Sequence, residues 1–447
     1  MSVDAADART GWSGWRWRLG NGYERLLTAL TRDTRVAVSL ILALAALVRL
    51  AYVGLIVGLS SPPTYDGLGY DILATNLLQR GVYGFEQPTA FRPPGYPLFL
   101  AAVYALFGVH NFAAVRLVQV GIDALTCLLL YAVGLRLFDR RVAFLAAAGL
   151  SLYPLQVYMV GEFYSETLSF LLQMVALWLA VRMVKERRWL LPLFLGVFLA
   201  ATALTRPTAV LWLPLMVVWI GLLPLSWRQK ARDAALLLLG LLLLFGPWTA
   251  RNYVVFREII PVSSLGGVGV WAGNNPLSEG GGMLPSEETW GEGAPEGGWM
   301  GWEGLSEAES SRRFMARGLA WIRENPLAFA ALVPRKLLRL WSPTSFGVQF
   351  SRHASPRLTA VVLPPYLVFL ACAGAGMILS RRGWREQFPL YALILGVNGL
   401  VALTYGATRY GIAMAPCLCL YAAVAVDRLG THLKGEGSRH VRGHVSC

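Results

Sequence analysis

Charge is what this chain has least of. Only 15% of its 447 residues are Asp, Glu, Lys or Arg, against roughly a quarter in a soluble domain, so most of the chain cannot face water. Histidine and cysteine are also scarce, at five each. Cys127, Cys372, Cys417, Cys419 and Cys447 sit in apolar runs or at the C-terminus, without metal-type spacing, which excludes a disulfide framework or a zinc module. No P-loop, GxGxxG or HExxH pattern occurs, so nothing points to ATP or a redox cofactor. The first 35 residues are polar, aromatic and basic, and the first apolar run is too long for a signal core, so no cleavable leader is expected.

Apolar residues fill the space that charge leaves. They make up 55% of the chain, the mean hydropathy is +0.50, and continuous runs recur at the length that crosses ~30 Å of hydrocarbon. Continuous runs mean helices, because barrel strands would alternate. The expected fold is an all-α polytopic membrane protein with about ten transmembrane helices, external juxtamembrane helices and a small external mid-chain region. The expected spans lie near 36–58, 113–135, 142–160, 167–184, 189–204, 208–225, 234–249, 359–379, 388–405 and 410–426.

These spans divide the chain. Residues 1–35 read as a cytoplasmic amphipathic segment with Trp12, Trp15 and Trp17. Residues 36–250 form a catalytic transmembrane module whose external loop covers 59–112, with a short apolar run at Pro97–Gly108 suited to a re-entrant or interfacial helix. An external region with an interfacial helix, Pro334–Trp341, occupies 251–358; residues 359–428 complete the bundle, and 429–447 are a cytoplasmic tail.

The net charge of +14 does not indicate nucleic acid, because the cations come as short clusters between apolar runs. More than half of the 40 lysines and arginines fall in tails and loops on one side, which the positive-inside rule makes cytoplasmic. Asp66, Glu162, Glu166, Arg206, Arg251 and Arg409 then share the opposite face.

Asp66 leads the candidates for chemistry. It follows the first span, beside Tyr65, in a long polar stretch that a mere connector would not need; it suits a general base and equally a helix N-cap. Glu162 and Glu166 are four apart and share a face if that segment is helical, though acids there also complement a helix dipole. A carboxylate placed like that of Asp66 could equally hold a divalent metal. Arg92, Arg206, Arg251, Arg335, Lys336, Arg339 and Arg409, with Tyr65 and Tyr96, suit a lipid phosphate, while each cation alone reads as an interfacial anchor. Within the membrane, Arg49 and Asp123 lie at matching depth and are expected to pair structurally.

Several motifs resemble a known family. They are Asp66 after the first span, Arg92-Pro93-Pro94-Gly95-Tyr96 before an interfacial helix, and Leu137-Phe138-Asp139-Arg140-Arg141. Tyr164-Ser165-Glu166-Thr167, Leu204-Thr205-Arg206-Pro207-Thr208, Gly273-Asn274-Asn275-Pro276 and Arg409-Tyr410 follow. In this order they resemble the bacterial C-type (GT-C fold) glycosyltransferases of the protein mannosyltransferase and aminoarabinose transferase superfamily. The resemblance implies an inner-membrane enzyme active on the periplasmic face. It would take a sugar from a polyprenyl-phosphate donor and invert the anomeric centre, with Asp66 as base and outer arginines on the phosphate. The acceptor would be a glycan, lipid or protein, and membrane lipids would surround the chain. A lipid-linked-sugar transporter is the other class considered; it would want a midplane site and an internal repeat, and neither is evident.

Overall fold

The computed structural model describes residues 12–282, 305–343 and 356–443; Cys447 lies outside them. The described residues contain helices and no strand. Helix α1 (Trp12–Arg32) is the amphipathic N-terminal segment. Helix α2 (Thr34–Tyr52) opens the first apolar span, its start capped by Asp33, whose carboxylate accepts from the Arg35 N–H. The external stretch folds as α3 (Asp66–Arg80) and α4 (Gly95–Phe107).

The chain continues through α5 (Phe112–Leu137), α6 (Arg140–Ser151), α7 (Pro154–Gly161), α8 (Glu166–Glu186), α9 (Leu191–Thr205), α10 (Trp212–Leu222) and α11 (Trp227–Phe256). After these come α12 (Leu265–Gly273), α13 (Glu307–Glu324) and α14 (Pro326–Leu340). The last part is α15 (Pro356–Ser380), α16 (Trp384–Leu403), the single turn α17 (Thr408–Gly411) and α18 (Ala415–Gly443). The tail expected at 429–447 therefore prolongs α18 as far as Gly443.

Among the described residues six stretches are long and apolar enough to cross a membrane, and a seventh if α6 and α7, bent by 50°, count as one span. The chain is a multi-pass membrane protein, but ten crossings are not confirmed. Helices α9 and α10 have 15 and 11 residues, short of the ~20 a crossing needs, and Ala360–Leu403 counts as one apolar stretch. Within that stretch α15 and α16 both pack on α18: a β-carbon on Gly376 would overlap the Tyr421 carbonyl, while Tyr391 stacks on the Tyr421 ring at 5.5 Å.

The main core lies among α5, α6, α8, α9 and α18. Close approach there depends on small residues, as expected where lipid supplies no hydrophobic drive. Gly196 of α9 and Gly240 of α11 meet backbone to backbone, so that a β-carbon on Gly240 would overlap the Leu193 carbonyl. Arg49 and Asp123 pair as expected, Nε to Oδ2 at 2.5 Å, both side chains fully buried. Gln156 Nε2 donates to the other Asp123 oxygen at 2.7 Å, which completes a buried network at the α2–α5–α7 junction.

Candidate active site

Helix α3 begins at Asp66 itself, and Tyr65 before it has φ 49° and ψ −126°, a conformation that costs a non-glycine residue on the order of 1–3 kcal/mol. That strained turn aims the Asp66 carboxylate away from the helix end and into a row of arginines, so the residue does not serve as a cap. A β-carbon on Gly67 would lie 3.0 Å from the Phe163 β-carbon; the start of α3 therefore sits directly on the 162–166 turn.

Five charged side chains form one alternating row. Arg92 Nη2 donates to Asp66 Oδ1 at 3.0 Å, and Arg409 Nη1 to Asp66 Oδ2 at 2.5 Å. Arg409 also grips Glu166, through Nε and, at 3.1 Å, through Nη2. Arg206 Nη1 closes the row on Glu166 Oε1 at 2.7 Å. The Glu166 side chain is fully buried and that of Asp66 is 39% exposed, so the row opens to solvent at Asp66. Three guanidiniums against two carboxylates leave one positive charge in excess.

The polypeptide brings these residues together through Gly95. A β-carbon there would come within 2.9 Å of the Leu204 carbonyl, so the Arg92-Pro-Pro-Gly turn can lie flat on the end of α9, beside Arg206. Aromatic faces support each cation: Arg92 lies 4.4 Å from the Tyr70 ring, Arg409 4.2 Å from Tyr164 and Arg206 5.4 Å from Tyr410. Burial opposes ionisation of Asp66, but Arg92 and Arg409 more than reverse it and hold the carboxyl well below the usual range.

The other residues singled out in the sequence have different places. Glu162 is half-buried beside Tyr158 and Arg116, and burial pushes its carboxyl up. The expectation that Glu162 and Glu166 share one helix face is corrected: α7 ends before Glu162, which is extended at φ −91° and ψ 150°, and α8 starts only at Glu166. Tyr96 is buried and donates to Gln119 Oε1 at 2.8 Å. Gln119 in turn holds the carbonyls of Val160 and Glu162, so Tyr96 braces the site from behind.

Arg251 donates to the carbonyls of Thr89 and Tyr83, both at 2.8 Å, and is a loop clamp. Lys336 is buried, its ammonium on Asn274 Oδ1 at 2.7 Å and the Ala402 carbonyl at 3.1 Å. Arg335 is exposed, and Arg339 lies 3.9 Å from Glu279. None of these four is bonded to the carboxylate row.

Sequence reasoning missed Arg116, Gln119, Glu307 and the place of Tyr70, Tyr164 and Tyr410 under the arginines. Arg116 had a signal, being an arginine near the start of an apolar helix; it donates to the carbonyls of Gly161, Leu59 and Ser61. Tyr164 and Tyr410 stand in the quoted motifs close to Glu166 and Arg409, whereas Tyr70 had no signal, since aromatic residues are common at membrane interfaces. Among the described residues no group of three or more His, Cys, Asp or Glu could hold a metal ion. Asp66 and Glu166 already face three guanidiniums, a poor setting for a divalent cation.

Residues 91–250 match the family described as dolichyl-phosphate-mannose-protein mannosyltransferase, which is the superfamily the motifs resemble. None of the curated proteins matches. The fold is similar to that of the oligosaccharyltransferase AglB from Archaeoglobus fulgidus, in complex with an inhibitory peptide and a dolichol-phosphate. The TM-score is 0.52 at 16% identity, over 88% of this chain and 50% of that one. A structure of the same archaeal enzyme with Zn and sulfate gives 0.51 at 15%, over 91% and 51%. ArnT from Cupriavidus metallidurans bound to undecaprenyl phosphate gives 0.43 at 15%, over 89% and 79%. The chain thus spans about half the length of the archaeal enzyme whose fold it shares.

Proposed function

We propose that this chain is a membrane glycosyltransferase that moves a sugar from a polyprenyl-phosphate donor to an acceptor hydroxyl, with inversion, on the non-cytoplasmic face of a bacterial inner membrane. The observation that carries the reading is the arginine row itself. Arg92 Nε and Arg206 Nε and Nη2 are buried and make no hydrogen bond among the described residues, and each such donor costs about 1–3 kcal/mol. A phosphate oxygen would satisfy them at full charge-assisted strength.

The chemistry follows from the charges. The acceptor oxygen attacks the anomeric carbon from the side opposite the phosphate, and its proton passes to the Asp66 carboxylate. The bond from the anomeric carbon to the phosphate oxygen breaks, and its electron pair leaves with the polyprenyl phosphate, whose added charge is neutralised by Arg92, Arg206 and Arg409. Such a leaving group needs cations more than an acid, which accounts for a site without histidine. With Arg92 and Arg409 both on Asp66, the carboxylate is a weak base; a phosphate competing for those guanidiniums would raise its basicity when the donor is in place. Glu162, beside Tyr158 and within reach of Arg409's field, would face the sugar or acceptor.

The test uses purified protein, a synthetic polyprenyl-phosphate sugar and candidate acceptors. Wild type releases polyprenyl phosphate, and Asp66→Asn lowers kcat by roughly 10²–10⁴-fold while the fold, read by thermal melting, persists. Undiminished turnover in that variant, or lipid movement between leaflets without release, would overturn the reading.

A further inference from the structure

We infer that Glu307, on α13, is a positioning residue for Arg92. Its carboxylate is buried, and it touches none of the five charged residues of the row. It accepts from Thr89 Oγ1 at 2.6 Å, from the Ala90 N–H at 3.0 Å and from Ser264 Oγ. Three donors on one buried carboxylate, two of them from consecutive residues of the loop that ends in Arg92, make a fixed grip.

The grip is closed on every side. Thr89 Oγ1 also accepts from the Phe91 N–H at 3.0 Å, and the Ser264 N–H donates to the Ala90 carbonyl at 3.0 Å. Arg251 holds the carbonyls of Thr89 and Tyr83 from the other face, both at 2.8 Å. The Tyr83 hydroxyl then donates to the Arg92 carbonyl at 2.9 Å and the Pro93 carbonyl at 3.1 Å. Arg92 is thereby fixed in backbone position at both ends of a short loop, and its guanidinium reaches Asp66 at 3.0 Å.

The consequence is that α12 and α13, from the mid-chain region, set where a cation of the carboxylate row stands. Loss of the Glu307 carboxylate would leave Thr89, Ala90 and Ser264 without their acceptor, and the loop would shift to satisfy them. A shift of about 1 Å at a positioned group is enough to be felt in catalysis. The catalytic meaning of this coupling rests on the proposed role of Arg92 as a phosphate-holding residue, but the coupling itself can be read without substrate.

Asp66 is partly open, so water-soluble carbodiimide can report its protonation by peptide mass spectrometry. In wild type the facing arginines keep Asp66 ionised, and labelling near pH 5 is slow; each unit by which its pKa rises speeds labelling there about tenfold. Glu307→Ala and Arg92→Ala should both accelerate labelling of Asp66, and the double variant should be no faster than Arg92→Ala alone. Glu307→Gln, which keeps one acceptor oxygen, should fall between wild type and Glu307→Ala. A Glu307→Ala protein that melts earlier yet labels Asp66 at the wild-type rate would overturn the inference. If Glu307→Ala does not fold, Thr89→Val, which removes one bond of the grip, should give a smaller acceleration, and an unchanged rate there overturns the inference equally. Failure of the transferase reading shows separately, as absence of polyprenyl phosphate release from wild type.

Discussion

At the scale of single residues, Lys336 shows how position in sequence and position in space can part. Beside Arg335 and Arg339 it reads as one more outer cation, yet α14 turns it into the protein, where burial pushes its pKa down to about 8 from the ordinary 10.5. The folded state thus gives up this proton at lower pH than the unfolded chain. Stability should therefore rise as pH increases from about 8 to 10.5, and the cost of the buried ammonium should be fully present below about 8. Lys336→Met should flatten that rise in detergent melts across the same window, and a slope equal to wild type would refute the assignment. Asp66, Glu166, Arg92, Arg206 and Arg409 were legible as candidates because each stands in one of the quoted motifs just beyond the end of an apolar run. Glu307 was not, since an acid in the first turn of a charged helix reads as a solvated dipole partner; its burial depends on a loop more than 200 residues away in sequence.

At the scale of elements, the existence of the spans was plain from apolar runs, whereas their ends and number were not. Leu152-Tyr153-Pro154 breaks 142–160 into two helices, and Thr205-Arg206-Pro207 separates α9 from α10, because proline removes a donor and interrupts the helix; Pro154 opens α7 and Pro207 a short 3-10 turn before α10. Convergence of the site was also hidden, since it depends on glycines whose partners lie in other helices. Gly95 lets the Arg92 turn rest on α9, and Gly240 lets α11 rest on α9 from the other side. The second contact is the more direct to test, as Gly240 touches no charged member of the site. Gly240→Val forces α9 and α11 apart and should cost roughly 1–3 kcal/mol, the range for overpacking a close interface. It should also reduce donor turnover, because α9 carries Thr205 and Arg206 at its end. A melting temperature equal to wild type would show that the two backbones are not in contact.

At the scale of the whole molecule, the two ends of the bundle differ in how their charges are spent. At one end Arg136 and Arg182 pair with Glu186 and Arg141 with Glu24, with Arg140 and Lys185 next to them in sequence. At the other, arginines converge on Asp66 and Glu166. The first end carries the surplus of loop cations, the charge that the positive-inside rule keeps on the cytoplasmic side during insertion, and on this ground we propose that the carboxylate row faces outward, where a polyprenyl carrier would present its sugar. Tyr65, 61% exposed beside Asp66, and Arg382, in the turn between α15 and α16, mark the two ends. In a background lacking Cys447, Tyr65→Cys should react with a membrane-impermeant maleimide on intact spheroplasts, and Arg382→Cys only after the membrane is opened. The reverse pattern would put the arginine row in the cytoplasm and remove the basis for an outward-facing transferase.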